Sequence, residues 1–183
     1  EGDPVEIDKK ISQLDNKQMA AKILLNSAYG ALGNQWFRYY DIRQATSITS
    51  SGQLSIRWIE NKVNDYFNKL MGNKEPKSYV IASDTDSIYV ALGDFVEKVF
   101  KEVPEDSKVV DFLDTVAKDK IEPYIDKCYQ ELADYMNAYD QKMFMKREVI
   151  ASKGIWTAKK RYILNVHDNE GVRYASPELK IMG

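Results

Sequence analysis

The chain has 183 residues, a hydrophobic share of 44%, a charged share of 30% and a net charge of −2, which suits one ordinary globular domain or two small ones. One cysteine, Cys128, and one histidine, His167, exclude an internal disulfide, a multi-cysteine zinc site and HExxH chemistry, and a reducing, cytoplasmic compartment is expected. No apolar run approaches the ~20 residues of a membrane span, and Glu1-Gly2-Asp3-Pro4 has no signal-peptide pattern, so no membrane association is expected. The first 13 residues are polar and read as a flexible lead-in. A helix is then predicted from Asp15 or Asn16, with Ala20, Ile23, Leu24, Ala28 and Ala31 as its apolar face and Gly30 and Gly33 near its end. A longer helix is predicted over 44–70 from the spacing of Ala45, Ile48, Ile56, Ile59, Val63, Phe67 and Leu70. Two short strands, 79–82 and 87–92, bracket Asp84-Thr85 as a β-hairpin with acids at its tip. Residues 108–139 carry one or two amphipathic helices, broken or started by Pro123. Strand patterns at 143–151, 155–166 and 172–175 close the chain, with a hairpin turn at 168–171. Helices set apart from hairpin-linked strands predict an α+β fold.

Three stretches carry chemistry. In Ser83-Asp84-Thr85-Asp86-Ser87, two carboxylates two residues apart can reach one hard cation or share two. A turn in which Asp merely suits the backbone is the plain alternative. An EF-hand fails, because the required Gly and Glu positions hold Tyr89 and Phe95. In Lys22-Ile23-Leu24-Leu25-Asn26-Ser27-Ala28-Tyr29-Gly30, Lys22, Asn26 and Tyr29 fall within a ~60° wedge of a helix. An outward polar face would give the same pattern, but a cation, an amide and a phenol in one line can also grip a polyphosphate. In Thr157-Ala158-Lys159-Lys160-Arg161-Tyr162, read as strand, Lys159 and Arg161 share one face and Lys160 and Tyr162 the other. A backbone phosphate is one partner for these cations; an edge strand kept soluble by lysine is the other explanation. The run 142–161 holds seven bases and one acid, Glu148, either a solvated face or a track for a polyanion.

KxxxNSxYG, then a hairpin bearing DTDS, then KKRY resembles the family B (α-like) replicative DNA polymerases. The wording NSAYGALGNQWFRYYDIRQAT, SDTDSIYV and AKKRYILNV is similar to their T-even-type bacteriophage members over roughly 14–183. The resemblance implies a palm-type antiparallel sheet with packed helices, plus one fingers helix. Residues 14–43 would be the second fingers helix and its turn into the palm. Residues 44–183 would be the palm, with the DTDS hairpin at 79–92 and the KKRY strand at 155–166. It implies that Lys22 and Asn26 meet the incoming dNTP, and that Tyr29 lies under the nascent base pair with Gly30 allowing close approach. Asp84 and Asp86 would be catalytic and bind metal, Asp86 more directly, with Glu148 a further palm acid near two Mg²⁺ ions. Lys159, Lys160, Arg161 and Tyr162 would hold primer-template DNA.

The implied activity is template-directed nucleotidyl transfer to a primer 3′-hydroxyl by a DNA-directed DNA polymerase, in a host cytoplasm if phage-encoded. Ser83 stands where the family usually has Gly, and no DxxSLYPS-like string with the first catalytic aspartate is present. The exonuclease, the first fingers helix and the thumb are also missing, so the chain is expected to be inactive alone and to need those segments in cis or in trans. A sliding clamp is a further partner of the complete enzyme. The alternative is a non-catalytic nucleic-acid-binding or assembly module derived from a polymerase. A DxD glycosyltransferase fails on the KxxxNSxYG and KKRY companions.

Overall fold

The computed structural model describes residues 3–100, 102 and 104–183. The chain divides into two compact units, Glu1–Gly52 and Gln53–Gly183. Among the described residues no helix is long and apolar enough to cross a membrane.

In the first unit, helix α1 runs Pro4–Leu32, eleven residues earlier than the expected Asp15 start. Glu1 and Gly2 of the expected lead-in lie outside the described residues, and from Pro4 onward it is helix. Asp3 caps the helix by accepting the Val5 N–H at 3.1 Å, and Pro4 has the φ and the missing N–H that suit the first helical position. No residue of α1 is buried; Leu24, on the face expected to be inward, is 72% exposed. After Gly33, the Asn34 side chain accepts the Trp36 N–H at 3.0 Å, and Asp41 accepts the Arg43 N–H at 3.0 Å. That second bond caps helix α2 (Ile42–Met71).

In the second unit, the expected stripe holds. Ile59, Val63 and Phe67, four apart on α2, are each 0–1% exposed and pack with Tyr79, Val80, Phe95, Ile125, Cys128, Tyr129 and Leu132. Each such side chain contributes roughly 1.5–3 kcal/mol. Asn64, on the flank of the stripe, accepts the backbone N–H groups of Tyr79 and Val80 at 2.7 and 2.9 Å. This fastens the start of the hairpin β1 (Val80–Asp84) and β2 (Ser87–Val90) to the helix. A short helix α3 (Gly93–Val99) follows and buries Phe95 and Val96.

Helices α4 (Asp106–Val116) and α5 (Glu122–Tyr135) are joined by π-type turns at Ala117–Ile121. Pro123 cannot donate to the carbonyl four residues back and its ring crowds that carbonyl, so the widened turn lies just upstream of it. Burial pushes the Cys128 thiol up, as expected of an inert core cysteine.

Strands β3 (Val149–Ala158), β4 (Arg161–Asn169) and β5 (Val172–Met182) form one antiparallel sheet in that order. Four differences from expectation stand out here. Residues 143–148 are not strand, and β3 continues unbroken through 152–154. The expected strand 155–166 is the end of β3, a two-residue loop and most of β4, because Ala158 pairs with Arg161. β5 runs to Met182, and Pro177 is tolerated because β5 is an edge strand. The α+β class is borne out, with the strands divided between two antiparallel sheets.

Candidate active site

Asp84 is the last residue of β1, paired with Ser87, so the loop of the first hairpin is Thr85-Asp86. Thr85 sits at φ 52°, a left-handed backbone that a β-branched residue rarely adopts. Bonds around it hold this turn. The Asp86 N–H reaches the Asp84 carbonyl at 2.6 Å, Thr85 Oγ1 donates to Asp84 Oδ1 at 3.1 Å, and Ser87 Oγ donates to the Asp84 carbonyl at 3.2 Å. Asp84 is half-buried and Asp86 exposed. The buried Tyr129 phenol is raised first by burial and then by the negative charge of Asp86.

The second hairpin presents Lys159 and Lys160 as its loop, both exposed. They are therefore not on alternating faces of a strand; Lys160 takes φ 62°, which turns the chain at the place where strand geometry was expected. Arg161 opens β4 and is exposed, and Tyr162 behind it is half-buried. Trp156 pairs with Tyr162 across the strands, with ring centroids 6.1 Å apart. Gly154 makes room for the indole: a Cβ there would lie 2.7 Å from Trp156 Cη2 and 2.8 Å from Leu164 Cδ2.

Tyr89 of β2 joins the two hairpins. Its ring stands edge-on to Trp156 at 5.3 Å and to Tyr162 at 5.4 Å, and its hydroxyl donates to the Tyr162 hydroxyl at 2.8 Å. A cleft of about 220 Å³ opens beside this contact, with Asp84 on one side, Lys159 and Lys160 on the other, and Tyr89, Trp156 and Tyr162 between. The Tyr89 phenol is pushed well above its ordinary range, first by burial, then by its bond to Tyr162, and also by the charges of Glu148 and Asp84.

Glu148 is exposed at the entry to β3. Its backbone carbonyl accepts the Glu170 N–H at 2.6 Å and an Arg147 Nη1–H at 3.2 Å, which holds its main chain. Asp84, Asp86 and Glu148 are all hard oxygen donors suited to a divalent cation. Among the described residues, however, no three His, Cys, Asp or Glu side chains gather closely enough to cage one. The hairpin thus offers a partial ligand set.

In the first unit, Lys22, Asn26, Tyr29 and Gly30 lie on α1 and are all exposed. Gly30 is inside the helix, yet a Cβ placed on it would meet nothing within 4 Å. No packing among the described residues explains a residue that weakens a helix.

The sequence reading missed Tyr89, Trp156 and Gly154. Tyr89 and Trp156 look like ordinary strand aromatics, and the Tyr89–Tyr162 contact joins residues 73 apart, beyond any local periodicity.

The chain matches the model of DNA polymerase family B over residues 4–176. It is 52% identical over 175 residues to a DNA-directed DNA polymerase of Escherichia phage RB69, covering 91% of this chain and 19% of the relative. It is 47% identical over 187 residues to the DNA-directed DNA polymerase of Enterobacteria phage T4, covering 97% of this chain and 21% of the relative. A DNA polymerase delta catalytic subunit of Drosophila melanogaster is 36% identical over 80 residues, 44% of this chain. The chain spans about a fifth of the length of the phage relatives it matches. A family match across nearly the whole chain, carrying the DTDS and KKRY hairpins with it, places the chain in DNA polymerase family B.

Proposed function

We propose that this chain is the palm, with the second fingers helix, of a DNA-directed DNA polymerase that transfers nucleotides to a primer 3′-hydroxyl. The observation that carries the reading is the cleft in which the Asp84 hairpin and the Lys159-Lys160 loop face each other across one aromatic contact. An acid that suits a divalent cation, Asp84, and bases that suit a phosphate backbone, Lys159 and Lys160, share one space.

Asp86 and Asp84 would hold Mg²⁺, with Glu148 a further candidate acid that does not gather with them among the described residues. Bound there, two such ions lower the barrier to attack and neutralise the pyrophosphate that leaves. The chain's own residues do the positioning. Lys159, Lys160 and Arg161 hold the primer-template backbone by charge, and Tyr162 adds a directional hydroxyl. On α1, Lys22 and Asn26 bind the triphosphate of the dNTP. Tyr29 offers a flat face to the nascent pair, and Gly30 lets it approach. The remaining polymerase segments, in cis or in trans, supply the first catalytic aspartate, the first fingers helix, the exonuclease, the thumb and any clamp contact. That the relatives are phage proteins supports a host cytoplasm as the place of this work.

A second reading, a binding or assembly module without catalysis of its own, is favoured for the chain alone by the lack of three converging metal-ligating side chains among the described residues. The test of the nucleic-acid role is salt-dependent binding of labelled primer-template. Lys160→Ala should weaken binding for all sequences alike and lower the salt slope by about one unit. An unchanged slope rejects the phosphate contact.

A further inference from the structure

We propose that Tyr89 is a positioning residue that aims the Tyr162 hydroxyl at a backbone phosphate of nucleic acid bound to the Lys159-Lys160 loop. The inference rests on the reading of that loop as a primer-template interface, and goes beyond it by assigning a role to a residue of the other hairpin.

Phosphate oxygens only accept hydrogen bonds, so Tyr162 can serve one only by donating its single proton outward. Its oxygen must then accept from elsewhere, or be left with a freely rotating hydroxyl. Tyr89 meets that need: its hydroxyl lies 2.8 Å from the Tyr162 hydroxyl. Donation from Tyr89 leaves the Tyr162 proton unspent. Donation the other way would point the Tyr162 proton inward and turn only lone pairs toward the phosphate.

The surroundings favour the first arrangement. Tyr89 is half-buried, and its hydroxyl proton needs an acceptor there. The side chain has no other hydrogen-bond partner among the described residues. Trp156 closes the third side of the contact, with its ring centroid 5.3 Å from that of Tyr89, so neither phenol is free to swing away. Tyr162 borders the cleft with Lys159 and Lys160, whose charges draw a phosphate to its outward side.

The contact also links two functions. Tyr89 lies five residues after Asp84 on the same hairpin. A phosphate held by Tyr162 is therefore registered against the carboxylates through one hydroxyl pair and not through a flexible loop.

The experiment is primer-template binding by the 183-residue chain, read by fluorescence anisotropy, for Tyr89→Phe, Tyr162→Phe, the double variant and Lys160→Ala. Each Phe keeps the ring packing and removes one hydroxyl. Tyr162→Phe should weaken binding by about ten-fold or more, the size of a hydrogen bond to a charged acceptor, and Tyr89→Phe by about two- to ten-fold, the size of a neutral one. The double variant should bind like Tyr162→Phe alone, because Tyr89 acts only through the Tyr162 oxygen. Neutral methylphosphonates placed singly along the primer should reveal one position at which Tyr89→Phe no longer matters, a response that simple destabilisation of the hairpins would not give.

Additive losses, or a silent Tyr89→Phe beside a Lys160→Ala that still weakens binding, overturn the positioning role and leave the interface standing. If the unchanged chain binds no primer-template, or Lys160→Ala is silent as well, the interface falls and the inference with it.

Discussion

Arg147 and Asp168 form an ion pair closed to solvent on both sides, with side chains 10% and 1% exposed. Asp168 Oδ1 also accepts the Gly171 N–H at 3.0 Å, and Arg173 Nε lies 2.8 Å from its Oδ2, although that N–H is not aimed at the oxygen. The other arm of Arg147 pairs with Asp114 of α4, and its backbone N–H donates to Glu122 at 2.9 Å. The network therefore ties the sheet to the α4–α5 helices immediately before Glu148.

Removing one partner of such a pair strands a buried charge. Asp168→Asn should lower unfolding stability by about 3–5 kcal/mol, seen as a fall in the urea midpoint. Asp111 pairs with the same Arg173 at 2.9 Å, but its side chain is 75% exposed. Asp111→Asn should therefore cost less than about 1 kcal/mol. Equal losses for the two variants would show that burial of the network does not matter.

The same network gives acid sensitivity of defined sign. The Lys118 ammonium, and after it the Arg147 guanidinium, hold the Asp114 carboxyl below its ordinary 3.8 against the opposing effect of burial. The folded state thus releases this proton more readily than the unfolded chain. The resulting stabilisation is fully present above the unfolded value and is lost as pH falls below 3.8 through the folded one. The stability gap between the unchanged protein and Asp114→Asn should be widest above that pH and shrink in more acid urea titrations. A gap constant with pH rejects the linkage.

What could be read in advance was what local pattern determines. The stripe Ile59, Val63, Phe67 predicts α2 nearly end to end, because a four-residue apolar period has one helical solution. The acidic hairpin followed from two short apolar runs around turn-forming residues. Local pattern also misled. Asp3-Pro4 is a sound helix start, but the polar residues after it outweighed the signal, since α1 carries no buried face to announce itself. Lys159-Lys160 has none of the Gly, Asn or Pro that usually mark a turn. Its bend comes from the pairing of Ala158 with Arg161, a property of two strands together. Of the candidate site, the charged groups were legible as motifs, whereas the Tyr89–Tyr162 contact, like the Arg147–Asp168 pair outside it, exists only once distant segments of the chain meet.

Gly30 offers a test in which stability and function move in opposite directions. It lies inside α1 with open space where a Cβ would stand. Gly30→Ala should therefore raise the stability of this exposed helix by about 0.5–1 kcal/mol, measurable by circular dichroism during urea unfolding. If the nascent base pair approaches here, the added methyl group should at the same time weaken nucleotide-dependent primer-template binding. A stabilised variant with unchanged binding would move the base pair away from this stretch.

The chain on its own should bind Mg²⁺ only weakly and should not extend a primer. Two-metal transfer needs carboxylates that bridge ions about 3.5–4 Å apart and hold the attacking and leaving oxygens in line. Asp84 supplies one half-buried carboxylate, one oxygen of which already accepts the Thr85 hydroxyl. Asp86 is exposed, and among the described residues no third group completes a cage. Mg²⁺ keeps much of its water shell and is usually held by one or two carboxylates together with substrate phosphates. Saturation of this hairpin should therefore require nucleotide and primer as well as the ion. Lys22 and Asn26, the residues proposed for the triphosphate, are exposed on α1. Positioning and charge neutralisation, the terms that carry most of the catalysis in such transfers, are both incomplete. The measurement is extension of a labelled primer-template by the purified chain with dNTPs and Mg²⁺, before and after addition of the remaining polymerase segments. Extension is expected only in the second case, and Asp86→Ala should abolish it. Extension by the chain alone that disappears in Asp86→Ala would show that a third carboxylate reaches the hairpin after all, and Glu148→Gln would be the first variant to identify it.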